Sequence, residues 1–378
     1  MSEEVARNPF SALLSEWPLF VIPIVLTLIG VLTMHPFGEG VSLAPKQLTW
    51  LTIALVGYFT CATLDMRFIR RTPVIITGYF VLLSLLVLLL VAAHAIMGAK
   101  SWFTLGGFSF QPADLGKVIF IALIAKYFSR RHMEIGDFRH VLVSGMYAAV
   151  PIALILVEPD LGTAVIFSSV WFGLVLVSGI SKKHLLAVLL AGVLAATILW
   201  FGGLHDYQRA RITNFLNPAA NIHGSGYNAY QATVAAGSGE VMGKGIGYGT
   251  QSKLRFLPEY ETDFIFAAFA EEWGFVGIIL ILLLYGLLLF RLLTIAQRSA
   301  TNFDALFTIG VAILIGSHVF IHAGINLGLL PVTGTTIPFM SYGGSHLLME
   351  FIALGIVASL AREGRSVPRE LAHKEYFG

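Results

Sequence analysis

Lys253–Glu272 reads KLRFLPEYETDFIFAAFAEE. It opens basic, passes Pro258 and a run of acids, and then carries Asp263 into a strongly apolar segment. A carboxylate at the mouth of a membrane helix is costly to desolvate and usually has a task. The stretch thus points to a chain built for a membrane, with polar work done at its edge.

Composition agrees. Of 378 residues, 56% are hydrophobic and 12% are charged, with mean hydropathy +0.79. Soluble domains carry roughly 25% charged residues. The expectation is an all-α polytopic membrane protein, one membrane domain over 1–378. A net charge of +2 is too small for a nucleic-acid footprint. The single cysteine, Cys61, excludes a disulfide framework within the chain. The opening MSEEVARNPFSALLSEW is acidic and lacks a small-residue cleavage site, so the first apolar segment is expected to stay as a membrane helix.

A spanning helix needs about 20 mostly apolar residues. About ten segments qualify, near 18–34, 47–65, 73–97, 115–129, 141–157, 161–180, 184–202, 263–290, 305–330 and 345–361. Arg7 and the basic residues within 67–71, 130–139, 182–183, 291–298 and 362–374 then fall on one side. The positive-inside rule makes that side cytoplasmic, with both termini. Lys46, Lys100, Arg209, Arg211, Lys244, Lys253 and Arg255 fall on the other, with Lys117 at its edge. A large, ordered extracytoplasmic loop, about 203–262, is expected between the seventh and eighth helices. Its glycines at 237, 239, 243, 245, 247 and 249 suit turns and close approach to a ligand.

This topology gathers acids and bases on the outer face. Asp114 and Lys117 open the fourth helix, Glu158 and Asp160 form a tight turn, and Asp263 opens the eighth. Each has a plainer reading. Asp114 and Lys117, three apart, fit a helix-surface ion pair. Asp160 fits a helix cap, and so does Asp263, worth about 1 kcal/mol. Glu271 and Glu272 need bases or water if buried. His318, His322 and Glu350 read as polar packing. Together, the pattern suits a site for an anionic group at the membrane surface. There is no nucleophile elbow, Walker loop or HExxH. General-base work by a carboxylate, with Lys and Arg holding phosphates, remains. Flipping of an anionic lipid and proton-coupled transport remain equally open on these grounds.

Five stretches carry a resemblance: SWFTLGGFSFQPADLGK, EPDLGTA, YQRARITNFLNP, GKGIGYGTQSKLRFLPEYETDFIFAAFAEEWGFVG and GINLGLLPVTGTTIPFMSYGGS. They resemble the SEDS family (shape, elongation, division and sporulation) over essentially the whole chain, its RodA branch more than its FtsW branch. The resemblance implies a peptidoglycan glycosyltransferase polymerising lipid II at the outer face of the cytoplasmic membrane. The family's essential acid falls on Asp263. Its sensitive Trp, Glu and Lys positions fall on Trp102, Asp114 and Lys117, and the Asp of its PDLGT motif on Asp160. Two departures stand out. The chain has Lys100-Ser101 where the family has basic residues, and Ala113-Asp114 where it has Ser-Glu. Asp for Glu keeps the charge and shortens the reach.

The mechanism expected on both grounds makes Asp263 the general base toward the acceptor hydroxyl. Lys117, Arg209, Arg211, Lys253 and Arg255 are candidates to hold pyrophosphate, Arg being preferred for bidentate contact. A divalent cation, Mg or Mn, is a further candidate for neutralising it, though no ligand spacing marks a metal site. The resemblance implies a class B penicillin-binding protein as partner, with other elongation-complex proteins. The rival readings are a lipid II flippase, kept open by His94, His318, His322 and Glu350, and a non-catalytic scaffold for the transpeptidase.

Overall fold

The computed structural model describes residues 16–35, 43–92, 102–105, 108–130, 137–217, 224, 226–254 and 256–366. The apolar segments lie in long helices. In order come α1 (Pro18–Met34), α2 (Ala44–Thr63), α3 (Thr72–Ala92), α4 (Pro112–Ser129), α5 (Phe138–Val157), α6 (Leu161–Val177) and α7 (Lys182–Ile198). The short α8 (Asp206–Leu216), α9 (Tyr227–Ser238) and α10 (Thr250–Lys253) follow. Then come α11 (Ile265–Gln297), α12 (Asn302–Asn326) and α13 (Gly344–Ser366). Among the described residues, six helices (α3, α5, α7, α11, α12 and α13) are long and apolar enough to cross a membrane, and α1 and α6 are shorter apolar helices. A small antiparallel hairpin, β1 (Phe103–Leu105) and β2 (Phe108–Phe110), sits before α4. It is a minor β addition to an architecture expected to be all-helical.

Local chemistry sets many of the starts. Proline occupies the first turn of α1, α2 and α4, where its missing N–H costs nothing. Asp137, Asp160, Ser181 and Thr301 cap α5, α6, α7 and α12 with side-chain acceptors, each worth about 1 kcal/mol. Helices α4 and α12 form the centre. α12 packs on α11, α6, α4 and α13, and α2 runs along α13. Close packing must hold such helices together, because lipid is as apolar as leucine. At the other extreme, α7 has no buried residue.

The bundle has two ends. At one, Arg291 pairs with Glu16 at 2.7 Å and Arg70 with Asp304 at 2.8 Å. At the other lie Asp263, the Glu158–Asp160 turn, the start of α4, and the 331–343 connection between α12 and α13.

Helix α11 is broken. Gly274 has φ +65° and ψ −166°, which ends one helical run at Trp273 and starts another at Phe275. Residues 265–272 are all buried. The 239–249 loop threads into the break. The amides of Phe275 and Val276 donate to the carbonyls of Glu240 (2.9 Å) and Val241 (3.1 Å). Those of Lys244 and Gly245 donate to the carbonyls of Glu271 (3.0 Å) and Glu272 (3.0 Å). A Cβ on Gly274 would overlap the backbone of Gly243, and one on Gly243 the carbonyl of Glu272; both have positive φ. The close approach expected of this glycine run is therefore to α11 itself. The loop also supplies the base that Glu271 needs. Lys244 Nζ lies 2.6 Å from Glu271 Oε1, which also accepts from the Thr250 amide at 2.9 Å.

Candidate active site

Asp263 lies on a strap, residues 259–264, whose backbone is pinned from two sides. The Tyr342 amide donates to the carbonyl of Glu261 (2.9 Å), and Ser341 Oγ to that of Thr262 (2.8 Å). Asn326 Nδ2 donates to the carbonyl of Asp263 (3.1 Å), while its Oδ1 accepts from the Ala267 amide (3.0 Å). Asp263 itself is not the cap of α11. Phe264 holds that position, without a side-chain cap. The carboxylate is free to face the 331–343 connection. A Cβ on Gly334 would stand 3.5 Å from Asp263 Oδ2 and 3.9 Å from Arg211 Nη1, so the acid and the base flank one point. Burial, with the charge of Glu259, pushes the Asp263 carboxyl up to about 6; Arg211 opposes the rise and Asp160 adds to it.

Arg211 reaches this point because α8 is docked on the Glu158–Asp160 turn. Tyr207 Oη and Gln208 Nε2 both donate to the carbonyl of Pro159, at 3.0 and 3.3 Å. One turn on, the Arg211 guanidinium lies 5.6 Å from the centroid of the Tyr207 ring. Asp160 does cap α6: its Oδ1 accepts from the Thr163 amide at 2.9 Å. Its Oδ2 accepts from Thr163 Oγ1 (2.8 Å) and from Gln111 Nε2 (3.0 Å). Burial still raises its carboxyl above the ordinary value, and Thr163 opposes this. Beside it Glu158 is 1% exposed, and its Oε1 has no hydrogen-bond partner. Burial first, and then Asp160, push Glu158 up to about 8, so it is largely protonated at neutral pH.

The Asp114–Lys117 pair is interior, which corrects the helix-surface reading. The side chains are 2% and 8% exposed and 2.9 Å apart. Asp114 Oδ2 accepts from Ser345 Oγ (2.7 Å), and its Oδ1 lies 3.3 Å from His346 Nδ1. Lys117 Nζ also lies 3.3 Å from His318 Nε2. His346 Nε2 lies 3.0 Å from Glu350 Oε1, and Glu350 Oε2 accepts from the Phe339 amide (3.0 Å). A polar chain thus runs from the Asp263 end into the bundle across α4, α12 and α13. Beyond it, buried Ile121, Ile124, Val311 and Ile315 form an apolar layer.

The remaining expected bases are spread out. Arg209 points to Asp206 (3.8 Å) and to the carbonyl of Phe201 (3.5 Å). Lys253 is exposed at the end of α10, and Trp102 is half-buried just before β1. Arg255, Lys100 and His94 lie outside the described residues. Among the described residues, no group of three or more His, Cys, Asp or Glu side chains is placed to hold a metal. What this face offers an anion, among the described residues, is cationic side chains, Arg211 above all. Sequence reasoning missed Asn326, and it placed Glu158 in the outer turn without counting it among the site residues. Their only signals were positions inside the GINLG and EPDLG stretches.

Chemically, the arrangement offers a raised carboxylate beside a guanidinium, at one end of an apolar bundle. Such a pair can accept a proton while an anion is held nearby.

A family model described as cell cycle protein, FtsW/RodA/SpoVE, matches residues 10–366. A probable peptidoglycan glycosyltransferase FtsW of Thiomicrospira cyclica is 37% identical over 305 residues, 78% of each chain. The peptidoglycan glycosyltransferase MrdB of Escherichia coli K12 is 32% identical over 344 residues, 90% of this chain and 92% of that one. Among solved structures, one described as "Structural coordination of polymerization and crosslinking by a peptidoglycan synthase complex" aligns with TM-score 0.78 and 31% identity, covering 93% of this chain and 98% of that one. RodA of Thermus thermophilus aligns with TM-score 0.68 and 29% identity, covering 92% and 96%.

Proposed function

The chain belongs to the FtsW/RodA/SpoVE family of multi-pass membrane proteins, and we propose that it is a peptidoglycan glycosyltransferase. In this reading it polymerises lipid II at the outer face of the cytoplasmic (inner) membrane during cell elongation and shape maintenance, on about ten spans. The observation that carries it is the half-buried Asp263 carboxylate facing Arg211 across Gly334.

Asp263 takes the proton from the acceptor sugar hydroxyl. The hydroxyl oxygen bonds to the anomeric carbon of the donor, and the bond from that carbon to undecaprenyl pyrophosphate breaks. A base is efficient when its pKa lies near working pH, and burial brings Asp263 up to about 6. Arg211 is the base best placed for the pyrophosphate, by bidentate contact. Arg209 and Lys253 belong to the approach of the headgroup. Lys117 is committed to Asp114, so these two, with Asp160 and Trp102, shape the floor and wall of the site. One carboxylate suffices because pyrophosphate leaves without a strong general acid, unlike the paired carboxylates of glycosidases. A class B penicillin-binding protein as partner is supported by the synthase-complex neighbour.

The transporter reading draws on the polar chain from Asp114 to Glu350. The apolar layer beneath that chain supports a one-sided site instead. Glycan polymerisation from purified lipid II, with the transpeptidase partner present, tests the proposal. Long strands with the wild type and none with Asp263→Ala, both folded, support it. Transbilayer movement of lipid II without polymer overturns it, and equal polymer from both proteins removes Asp263 as the base.

A further inference from the structure

The 239–249 loop exposes a run of apolar side chains that nothing in the glycosyltransferase reading uses. Val241 is 61% exposed, Met242 79% and Tyr248 70%, with Ile246 also exposed. The loop is no free excursion. Its backbone is bonded to the amides of Phe275 and Val276, at the start of the second run of α11. Phe275 and Val276 are themselves more than half exposed and continue into an exposed apolar strip of Ile279, Leu280 and Leu283. That strip belongs to a helix apolar enough to cross a membrane.

Depth follows from the helix. Arg291, ion-paired to Glu16, marks the opposite boundary. From Arg291 back to Val276 and to Gly274 the rise of ~1.5 Å per residue gives about 22 and 25 Å. A hydrocarbon core is about 30 Å thick. The carbonyls of Glu240 and Val241, bonded at that level, therefore lie at or just inside the hydrocarbon edge.

We propose that residues 240–248 form a shallow re-entrant loop whose apolar tip, Val241 and Met242 with Ile246, is lodged among the lipid chains of the leaflet at the Asp263 end. Loop backbone at that depth must have its polar groups satisfied by protein, and the break in α11 supplies the partners. The loop's one base, Lys244, turns its ammonium inward to Glu271 and Thr250. Glu240 is exposed and sets the limit of insertion, since its carboxylate must stay at the headgroups. Tyr248, an amphipathic ring, suits that same level. Lipid is the occupant favoured over a polypeptide because the patch is continuous with the exposed strip of a spanning helix. The proposal stands whether or not Asp263 is a catalytic base.

The test uses the full chain in phospholipid vesicles, with Cys61→Ser as background. Met242→Cys and, as an aqueous reference, Asp206→Cys are labelled with an environment-sensitive dye. Phospholipids carrying a quencher on the upper acyl chain should quench the label at 242 several-fold more than the label at 206, and aqueous iodide should do the reverse. A second measurement avoids the dye. The unlabelled thiol at 242 should react with a water-soluble maleimide at least about tenfold more slowly than that at 206, because apolar surroundings suppress the thiolate. Iodide-type quenching and fast reaction at 242 would overturn the proposal. So would protection at 242 in detergent-free vesicles that appears only when the transpeptidase partner is added, since the occupant would then be protein.

Discussion

Asn326 holds both sides of the turn that carries Asp263: its Nδ2 donates to the carbonyl of Asp263 at 3.1 Å, and its Oδ1 accepts the Ala267 amide at 3.0 Å. It is fully buried, and it also donates to the carbonyl of His322. Asn326→Ala would orphan a buried amide and leave the strap free to shift. The expected cost is about 1–3 kcal/mol of stability and a fall of roughly 10- to 100-fold in kcat, the effect of a small misplacement of a reacting group. Thermal melting together with lipid II polymerisation checks this. A lower melting point with unchanged kcat would make Asn326 merely structural.

The raised Asp263 carboxyl gives activity and stability opposite pH dependences. A base must be ionised, so polymerisation should fall as pH drops through about 6. Stability runs the other way. A carboxyl raised from 3.8 to about 6 by folding contributes stability below the lower value and loses it as pH rises through the upper one. Asp263→Asn should therefore be inactive yet melt higher than the wild type at pH 7.5. The gap should close as pH falls below about 6. Equal melting points throughout would mean that the carboxylate is well solvated.

Arg211 tunes that acid. Removing it takes away the opposing charge, so Arg211→Ala should move the pH midpoint of polymerisation above that of the wild type and raise KM for lipid II. Arg211→Lys should restore the midpoint while leaving KM elevated, because an ammonium gives no bidentate contact. A pH–rate profile of the three proteins decides. An unmoved midpoint in Arg211→Ala would place the guanidinium outside the reach of Asp263.

Lys244 and Glu271 tie the loop to the broken helix. Lys244→Met leaves a buried carboxylate with only neutral donors. Breaking one partner of a buried pair costs about 3–5 kcal/mol; partial exposure of Lys244 lowers the expectation to about 1–3 kcal/mol. Gly274→Ala should do at least as much damage, since its φ of +65° is strained for any side chain. Hydrogen exchange should report faster exchange at Lys244 and Gly245 in both variants. Protection equal to the wild type would show that the backbone bonds alone hold the loop.

Asp114 and Lys117 separate burial from substrate contact. Either single change, Asp114→Asn or Lys117→Met, removes one partner of a buried ion pair and should destabilise by about 3–5 kcal/mol. The double variant should regain most of that loss. If polymerisation returns with stability, the pair is structural; continued inactivity in a stable double variant assigns it to the substrate.

Hydropathy placed the long helices because length and apolarity are properties of a segment alone. The glycine run shows the limit. Its spacing announced close approach, and only the fold identified α11 as what is approached, since Gly274 and Gly243 meet across a gap of 31 residues in sequence. Likewise Asp114 and Lys117, three apart, fit a surface pair, until Ser345 and His346 from α13 close over them.

The chain by itself determined that Asp263 would stand at the mouth of an apolar helix, because a lone carboxylate there is visible in the order of residues. It equally announced the cap at Asp160, a local bond to the Thr163 amide. Tertiary structure decided which base faces Asp263. Arg211 and Arg209 are two residues apart and chemically alike; docking of α8 on Pro159 turns Arg211 to the Gly334 point and leaves Arg209 with Asp206 and Phe201. It also raised the Asp263 carboxyl, since that shift comes first from burial, then from Glu259 close by in the chain, and is trimmed by Arg211 and added to by Asp160, both distant in sequence.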